Sequence, residues 1–175
     1  MSNKIIVYAT RYGASKEYAL RIAKRKDFAI FPYKEIPKSA HYDEIILVAP
    51  IYAGKIFGLK NIIKETNNAE KKKITIITVG VYNPNRDDNN LQIRNLVYNM
   101  LEKSMLELKM IHHLYGKLEI EKLSFVHKLL IQTLYRKAKK SSLEQLSENE
   151  KDIIKAIEQK RELDYYQLDK ILESL

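Results

Sequence analysis

The 175-residue chain contains no cysteine, which excludes disulfides, thiolate metal sites and thiol nucleophiles. No apolar run reaches the roughly 20 residues that a membrane-spanning helix requires. Met1-Ser2-Asn3-Lys4 leads directly into an apolar run, without the h-region of a secretory signal. Neither a G-x-G-x-x-G fingerprint nor a P-loop occurs, which lowers NAD and ATP as ligands. No G-x-S-x-G elbow or Ser-His-Asp spacing points to acyl transfer. A cytoplasmic location is expected, with contact at the inner face of a membrane left open.

Charge of one sign dominates what is present. Lysine and arginine number 31 against 22 acidic residues, a formal charge of +9. Such a surface favours nucleic acid, acidic proteins or an anionic lipid leaflet, and charge alone does not choose among them. The length suits a single domain over residues 1–175.

Four apolar runs look like strands buried on both faces: Ile5 to Ala9, Ile45 to Ala49, Ile74 to Val79 and Leu108 to Leu114. β-Branched residues dominate the first three, and alternation is weak, as in a parallel sheet covered on both sides. Phe28 to Phe31 stops at Pro32 and suits an edge strand. Between the strands lie helical patterns that would bury Tyr18, Ala19, Ile22 and Ala23, then Ile62 and Ile63, then Leu96, Val97, Met100 and Leu101. Ser15 is the expected cap of the first. Strand and helix alternate, so the class is α/β.

Past Gly116 the strand pattern ends. Leu123 to Lys140 carries Val126, Leu129, Leu130 and Leu134 among Lys128, Arg136, Lys137, Lys139 and Lys140. Ser147 and Glu150 form a capping box for a following helix through Ile153, Ile154 and Ile157. Asp164 and Gln167 start a last helix, which closes the sheet. Residues 117–160 read as a basic helical insertion.

The stretch from Val7 to Ala23, "VYATRYGASKEYALRIA", turns from strand to helix through a loop with hydroxyls at both ends, a glycine inside and an arginine. Ligands of open α/β sheets collect beyond the carboxyl ends of the strands. Backbone N–H groups at a helix start suit a phosphate. Thr10 and Ser15 would donate to its oxygens, Gly13 would allow close approach, and Arg11 would add charge-assisted donors. A plain helix cap with no ligand explains the same loop. Two further loops leave the same edge: Pro50-Ile51-Tyr52-Ala53-Gly54 and Gly80-Val81-Tyr82-Asn83-Pro84. Each brings a tyrosine and a glycine, suited to a flat aromatic ring.

On these residues the chain resembles the flavodoxin superfamily. The T-x-x-G-x-S sequence at Thr10 to Ser15 is similar to that family's FMN phosphate loop, with Arg11, Tyr12 and Ala14 inside it. The other two loops lie where the family grips the isoalloxazine ring. The resemblance implies a three-layer sandwich with a five-stranded parallel sheet in order 2-1-3-4-5, FMN as cofactor, and Tyr52 and Tyr82 beside the ring. Leu114 to Lys140, "LYGKLEIEKLSFVHKLLIQTLYRKAKK", is similar to a basic segment after the fifth strand of menaquinone-dependent protoporphyrinogen oxidases, and "APIYAGKI" also resembles that branch. This implies electrons passed from a porphyrinogen through FMN to a quinone.

Other signals are weighed against this reading. A response-regulator receiver shares the strand order but needs acidic residues where this chain has Thr10-Arg11 and Pro50. His112-His113 would point to opposite faces of a strand, which disfavours one shared metal; edge or surface histidines are expected. Asp87-Asp88 reads as a solvated turn. The basic stretch over 123–140 is read as a covering helix with a solvated face, as a contact with anionic membrane, or, last, as a nucleic-acid patch. The functional alternatives are a soluble flavodoxin-type electron carrier, which the positive charge weakens, and a flavin-free interaction protein.

Overall fold

Alternation along buried strands decides the layers. In β1 (Lys4–Tyr8) Ile5 and Val7 face one way and Ile6 the other; in β3 (Glu44–Tyr52) Ile45 and Leu47 oppose Ile46 and Val48. Both sets are buried, so the sheet needs a helical layer on each side. The computed structural model describes residues 3–37, 41–52, 54–66, 71–142, 144–159 and 161–175.

Between these strands come α1 (Ala14–Lys26) and β2 (Ala29–Pro32). After β3 follow β4 (Lys55–Ile56), α2 (Leu59–Thr66), β5 (Lys72–Gly80), α3 (Asp87–Leu101) and β6 (Leu106–Tyr115). The main sheet is parallel in order β2-β1-β3-β5-β6, which is the expected five-stranded order. The short β4 turns back antiparallel on the end of β3, pairing Ile51 with Ile56. A two-residue strand is too short for periodicity to reveal.

One layer packs Leu59, Ile62, Ile93, Val97 and Leu101 of α2 and α3 against the sheet. The other packs Tyr18, Ala19 and Ile22 of α1 with Leu168, Ile171 and Leu172 of α6 (Tyr165–Ser174). α6 starts at Asp164, whose carboxylate accepts from the Gln167 N–H at 2.9 Å. The Tyr18 hydroxyl donates to the Tyr115 carbonyl at 2.8 Å and accepts the Asp164 N–H at 2.7 Å, tying α1, β6 and α6 together.

α4 (Phe125–Lys140) and α5 (Glu148–Glu158) stand between β6 and α6. The capping box of Ser147 and Glu150 is present at α5. As an ordinary covering helix, α4 would bury its apolar stripe. Instead Ala138 is its buried residue, while Val126 is 70%, Leu129 53% and Leu130 55% exposed.

Ser15 is not the cap of α1. The helix begins at Ala14 behind Gly13 (φ +100°), and Thr10 Oγ1 accepts the Gly13 N–H at 2.9 Å. A positive φ at the helix entrance favours glycine. Asp87 and Asp88 open α3, where carboxylates complement the helix dipole, and Asp88 also pairs with Arg86.

At the amino end of the strands Glu44 is buried, 2% exposed, and answered by Lys109 Nζ at 3.0 Å, Lys4 Nζ at 3.6 Å and the Thr75 hydroxyl at 3.0 Å. Lys4 also donates to the Leu175 carbonyl, which links β1 to the end of α6. Glu44→Ala leaves two cations facing each other and is expected to cost about 3 kcal/mol. Urea unfolding measures it; a loss below about 1 kcal/mol would mean that the cations are fully solvated.

Candidate functional site

All five parallel strands present their carboxyl ends at one edge, and the loops leaving β1, β3, β5 and β6 enclose a cavity of about 400 Å³ there. From the first loop come Thr10, Arg11, Tyr12, Ala14 and Ser15. From β3 come Pro50, Ile51 and Tyr52, and from β5 Val79, Gly80 and Val81. Gly116, Lys117 and Leu118 follow β6, and the α4 region adds Leu123, His127, Leu130 and Ile131.

Four expected site residues stand outside this lining. Gly13 shapes the helix entrance and Gly54 the β3–β4 turn, both with positive φ. Tyr82 and Asn83 are drawn toward α5 instead: the Asn83 N–H donates to Asp152 Oδ2 at 2.8 Å, and the Tyr82 carbonyl lies 3.3 Å from His113 Nε2. Ala53 lies outside the described residues. Of the two expected ring-flanking tyrosines, the cavity therefore receives Tyr52.

Aromatic and cationic groups crowd its mouth. Tyr12 meets Tyr52 edge-on at 6.4 Å, and Arg11 lies 5.8 Å from the Tyr52 ring centre. Burial, reinforced by the neighbouring Tyr12, pushes the Tyr52 hydroxyl up to about 12, against the pull of Arg11. Tyr52 stays a neutral phenol at working pH. The Thr10 hydroxyl, having accepted from Gly13, keeps its own hydrogen free to donate. With Ser15, the N–H groups of the first turn of α1 and Arg11, it makes a donor set for a phosphate.

The β5–α3 loop is fixed from outside. Asp152, 4% exposed, accepts from the Asn83 N–H and from Arg86 Nη1, each at 2.8 Å. Arg86 is held firmly protonated by its bonds to Asp88 and by Asp152. From beneath, His113 supports the same loop. It is buried on β6 with Nδ1 2.8 Å from the Thr78 hydroxyl, so it is not a surface histidine, although β6 is an edge strand. A Cβ on Gly80 would meet His113 Cε1 at 3.2 Å, so this glycine permits the close approach.

The model of one family, described as Flavodoxin domain, matches residues 5–145. The chain belongs to the flavodoxin domain family. Among solved structures, a flavoprotein from Lactobacillus acidophilus NCFM in complex with FMN is similar at 13% identity and a TM-score of 0.52, over 65% of this chain and 93% of that one. The Trp repressor binding protein from Bacillus subtilis shares 18% identity over 65% and 84% of the two chains, TM-score 0.46. An azoreductase from Bacillus anthracis shares 13% over 66% and 86%, TM-score 0.42. A search of curated proteins returns no match.

In this flavodoxin domain the lining residues that sequence reasoning missed follow β6, apart from Val79 on β5. The signal available was positional: the loop after the last strand leaves from the same edge as the other three. No residue pattern marked Lys117, Leu118 or His127. Among the described residues no cluster of three or more metal-ligating side chains occurs.

Burial lowers the His113 imidazole to about 4, below its ordinary value near 6.5. The unfolded chain thus binds the proton first, and stability present above pH 6.5 is lost as pH falls toward 4, on the order of 3 kcal/mol. His113→Gln is expected to flatten this part of the stability curve, measured by urea unfolding between pH 4.5 and 7. An unchanged slope would place the titration elsewhere.

Proposed function

We propose that this flavodoxin-domain protein is an FMN-dependent oxidoreductase. One observation carries the reading: Thr10, Arg11 and Ser15, a phosphate-type donor set, and the aromatic Tyr52 line one and the same cavity. Its volume lies within the range of ligand pockets. Thr10, Ser15, Arg11 and the first turn of α1 would hold the phosphate. Pro50, Ile51, Tyr52, Gly80 and Val81 would border the ring, and Leu123, Leu130 and Ile131 would keep water from it. The bound cofactor would supply the two-electron chemistry, while the protein sets binding, orientation and potential.

Replacing Thr10 and Ser15 together with alanine removes two donors to a charged group, roughly 1.5–3 kcal/mol each. FMN binding is expected to weaken by about 100-fold or more, with riboflavin binding little changed. Fluorescence titration of both ligands reads this. If the unaltered protein binds FMN and riboflavin equally, the phosphate site is misassigned; if it binds neither, the flavin-free interaction reading takes its place.

The finer reading is a quinone-linked oxidase of the protoporphyrinogen type, with a porphyrinogen as electron donor. The exposed face of α4 supports it. Phe125 is 81% exposed, beside Val126 and Leu129, with Lys128 next to them and Arg136, Lys137, Lys139 and Lys140 toward the other end of the same helix. Apolar side chains standing in water beside dense positive charge suit an anionic lipid surface, where each cation near the surface contributes ~1 kcal/mol. No described helix is long and apolar enough to cross a membrane.

Sedimentation with phosphatidylserine-containing vesicles at low salt is expected to carry the protein down. Neutral vesicles, or salt that shortens the screening length below ~8 Å, should release it, and Phe125→Ser with Leu129→Ser should weaken it. Indifference to anionic vesicles would favour the soluble electron carrier.

A further inference from the structure

His127 stands apart on the α4 side of the cavity, where its neighbours Leu123, Leu130 and Ile131 are apolar. Its Nε2 lies 3.2 Å from Arg11 Nη1, its Nδ1 lies 2.6 Å from the Tyr12 hydroxyl, and its ring stacks on Tyr52 at 5.8 Å and 29°. A guanidinium only donates, so Nε2 meets Arg11 with its lone pair. The ring proton then sits on Nδ1 and is given to the Tyr12 oxygen, which also accepts the Ser124 N–H at 3.3 Å. The Tyr12 hydroxyl is left to donate to Ser124 Oγ, 3.4 Å away. One helix-borne imidazole is thus oriented by the β1–α1 loop and the end of β3.

The charged and titratable groups around it are Arg11 and Tyr12 from the β1–α1 loop, Tyr52 from β3, Lys117 from the loop after β6, and Lys128 on its own helix. The imidazole offers both a ring N–H and a ring-nitrogen lone pair, as proton transfer requires. Arg11 also belongs to the phosphate donor set, and an anion at Thr10 to Ser15 would draw it from Nε2. That nitrogen would then be free to exchange a proton inside the cavity.

We propose that His127 is the proton-transfer residue of this cavity, with Tyr12 as its positioning residue; this rests on the FMN reading above. Reducing a quinone-type ring to its hydroquinone takes two electrons and two protons. Bound and reduced, the cofactor would supply a hydride, which is both electrons and one proton. The imidazolium Nε2–H bond breaks, and the second proton forms an O–H bond on the substrate oxygen. Water at the mouth then recharges the neutral imidazole. In the oxidising direction, neutral His127 takes the hydroxyl proton instead.

The test loads the full chain with FMN, reduces it by light, and mixes it with 2,3-dimethoxy-5-methyl-1,4-benzoquinone while flavin absorbance is followed against pH. The wild-type rate is expected to fall with rising pH along a one-proton curve. His127→Gln should be slower by ~100-fold or more and lack that curve, and Tyr12→Phe should keep the curve with a shifted midpoint. Nitrogen NMR of the FMN-free protein gives a readout independent of turnover: His127 should be protonated on Nδ1, and Tyr12→Phe should shift the Nδ1 resonance by removing the acceptor of its proton. A His127→Gln protein that keeps the wild-type curve overturns the proposal, as does an Nε2-protonated His127 in the FMN-free wild type. If the wild type takes up no FMN, both this proposal and the function above fall; FMN uptake with an unaltered curve removes His127 alone.

Discussion

Parallel pairing constrains everything else in this molecule. Parallel strands cannot be joined by tight turns, so each crossing needs a long connection, usually a helix. Right-handed crossovers then lay helices on both faces of the sheet. That arrangement buries Ile5, Val7 and Leu47 on one side and Ile6, Ile46 and Val48 on the other. It also sends every carboxyl end to the same edge. The cavity between the loops of β1, β3, β5 and β6 follows from strand direction before any ligand is considered.

The segment between β6 and α6 solves a different problem. α4 adds little to the core, since Ala138 is its buried residue. Its inward side chains, His127 and Ile131, complete the cavity wall. Leu130 does two things at once, lining the cavity while remaining 55% exposed. Apolar surface therefore runs from the outside of α4 to the cavity mouth. At the amino end of α4, Tyr12 and Arg11 hold His127 and Ser124; near its other end, Tyr135 and Lys139 meet Glu158 of α5. α5 in turn holds the β5–α3 loop through Asp152 and Arg86. The segment and the strand-end loops thus share one set of polar contacts.

Strength of local pattern separates what was legible from what was not. Ile45 to Ala49 and Ile74 to Val79 are rich in β-branched residues, continuous and long enough to exclude other readings. The caps at Ser147 and Asp164 are local hydrogen-bond patterns within four residues, and both are present. Ser15 misled because a hydroxyl at a helix start has several uses. Here the partner of the Gly13 N–H is Thr10, three residues earlier, and Gly13 itself takes the positive φ.

The sequence by itself determined the α/β class, the strand order that the family resemblance implied, and the loop from Thr10 to Ser15, because periodicity and short-range turn chemistry act within a few residues. Tertiary structure decided which side chains share the cavity. Tyr52 enters it, while the loop holding Tyr82 is tied to Asp152 and His113, residues 69 positions beyond Asn83 and 31 beyond Tyr82 respectively. His127 reaches Tyr12 across 115 residues. Contacts at such separations depend on where helices come to rest on a sheet, and no local pattern of residues encodes that position.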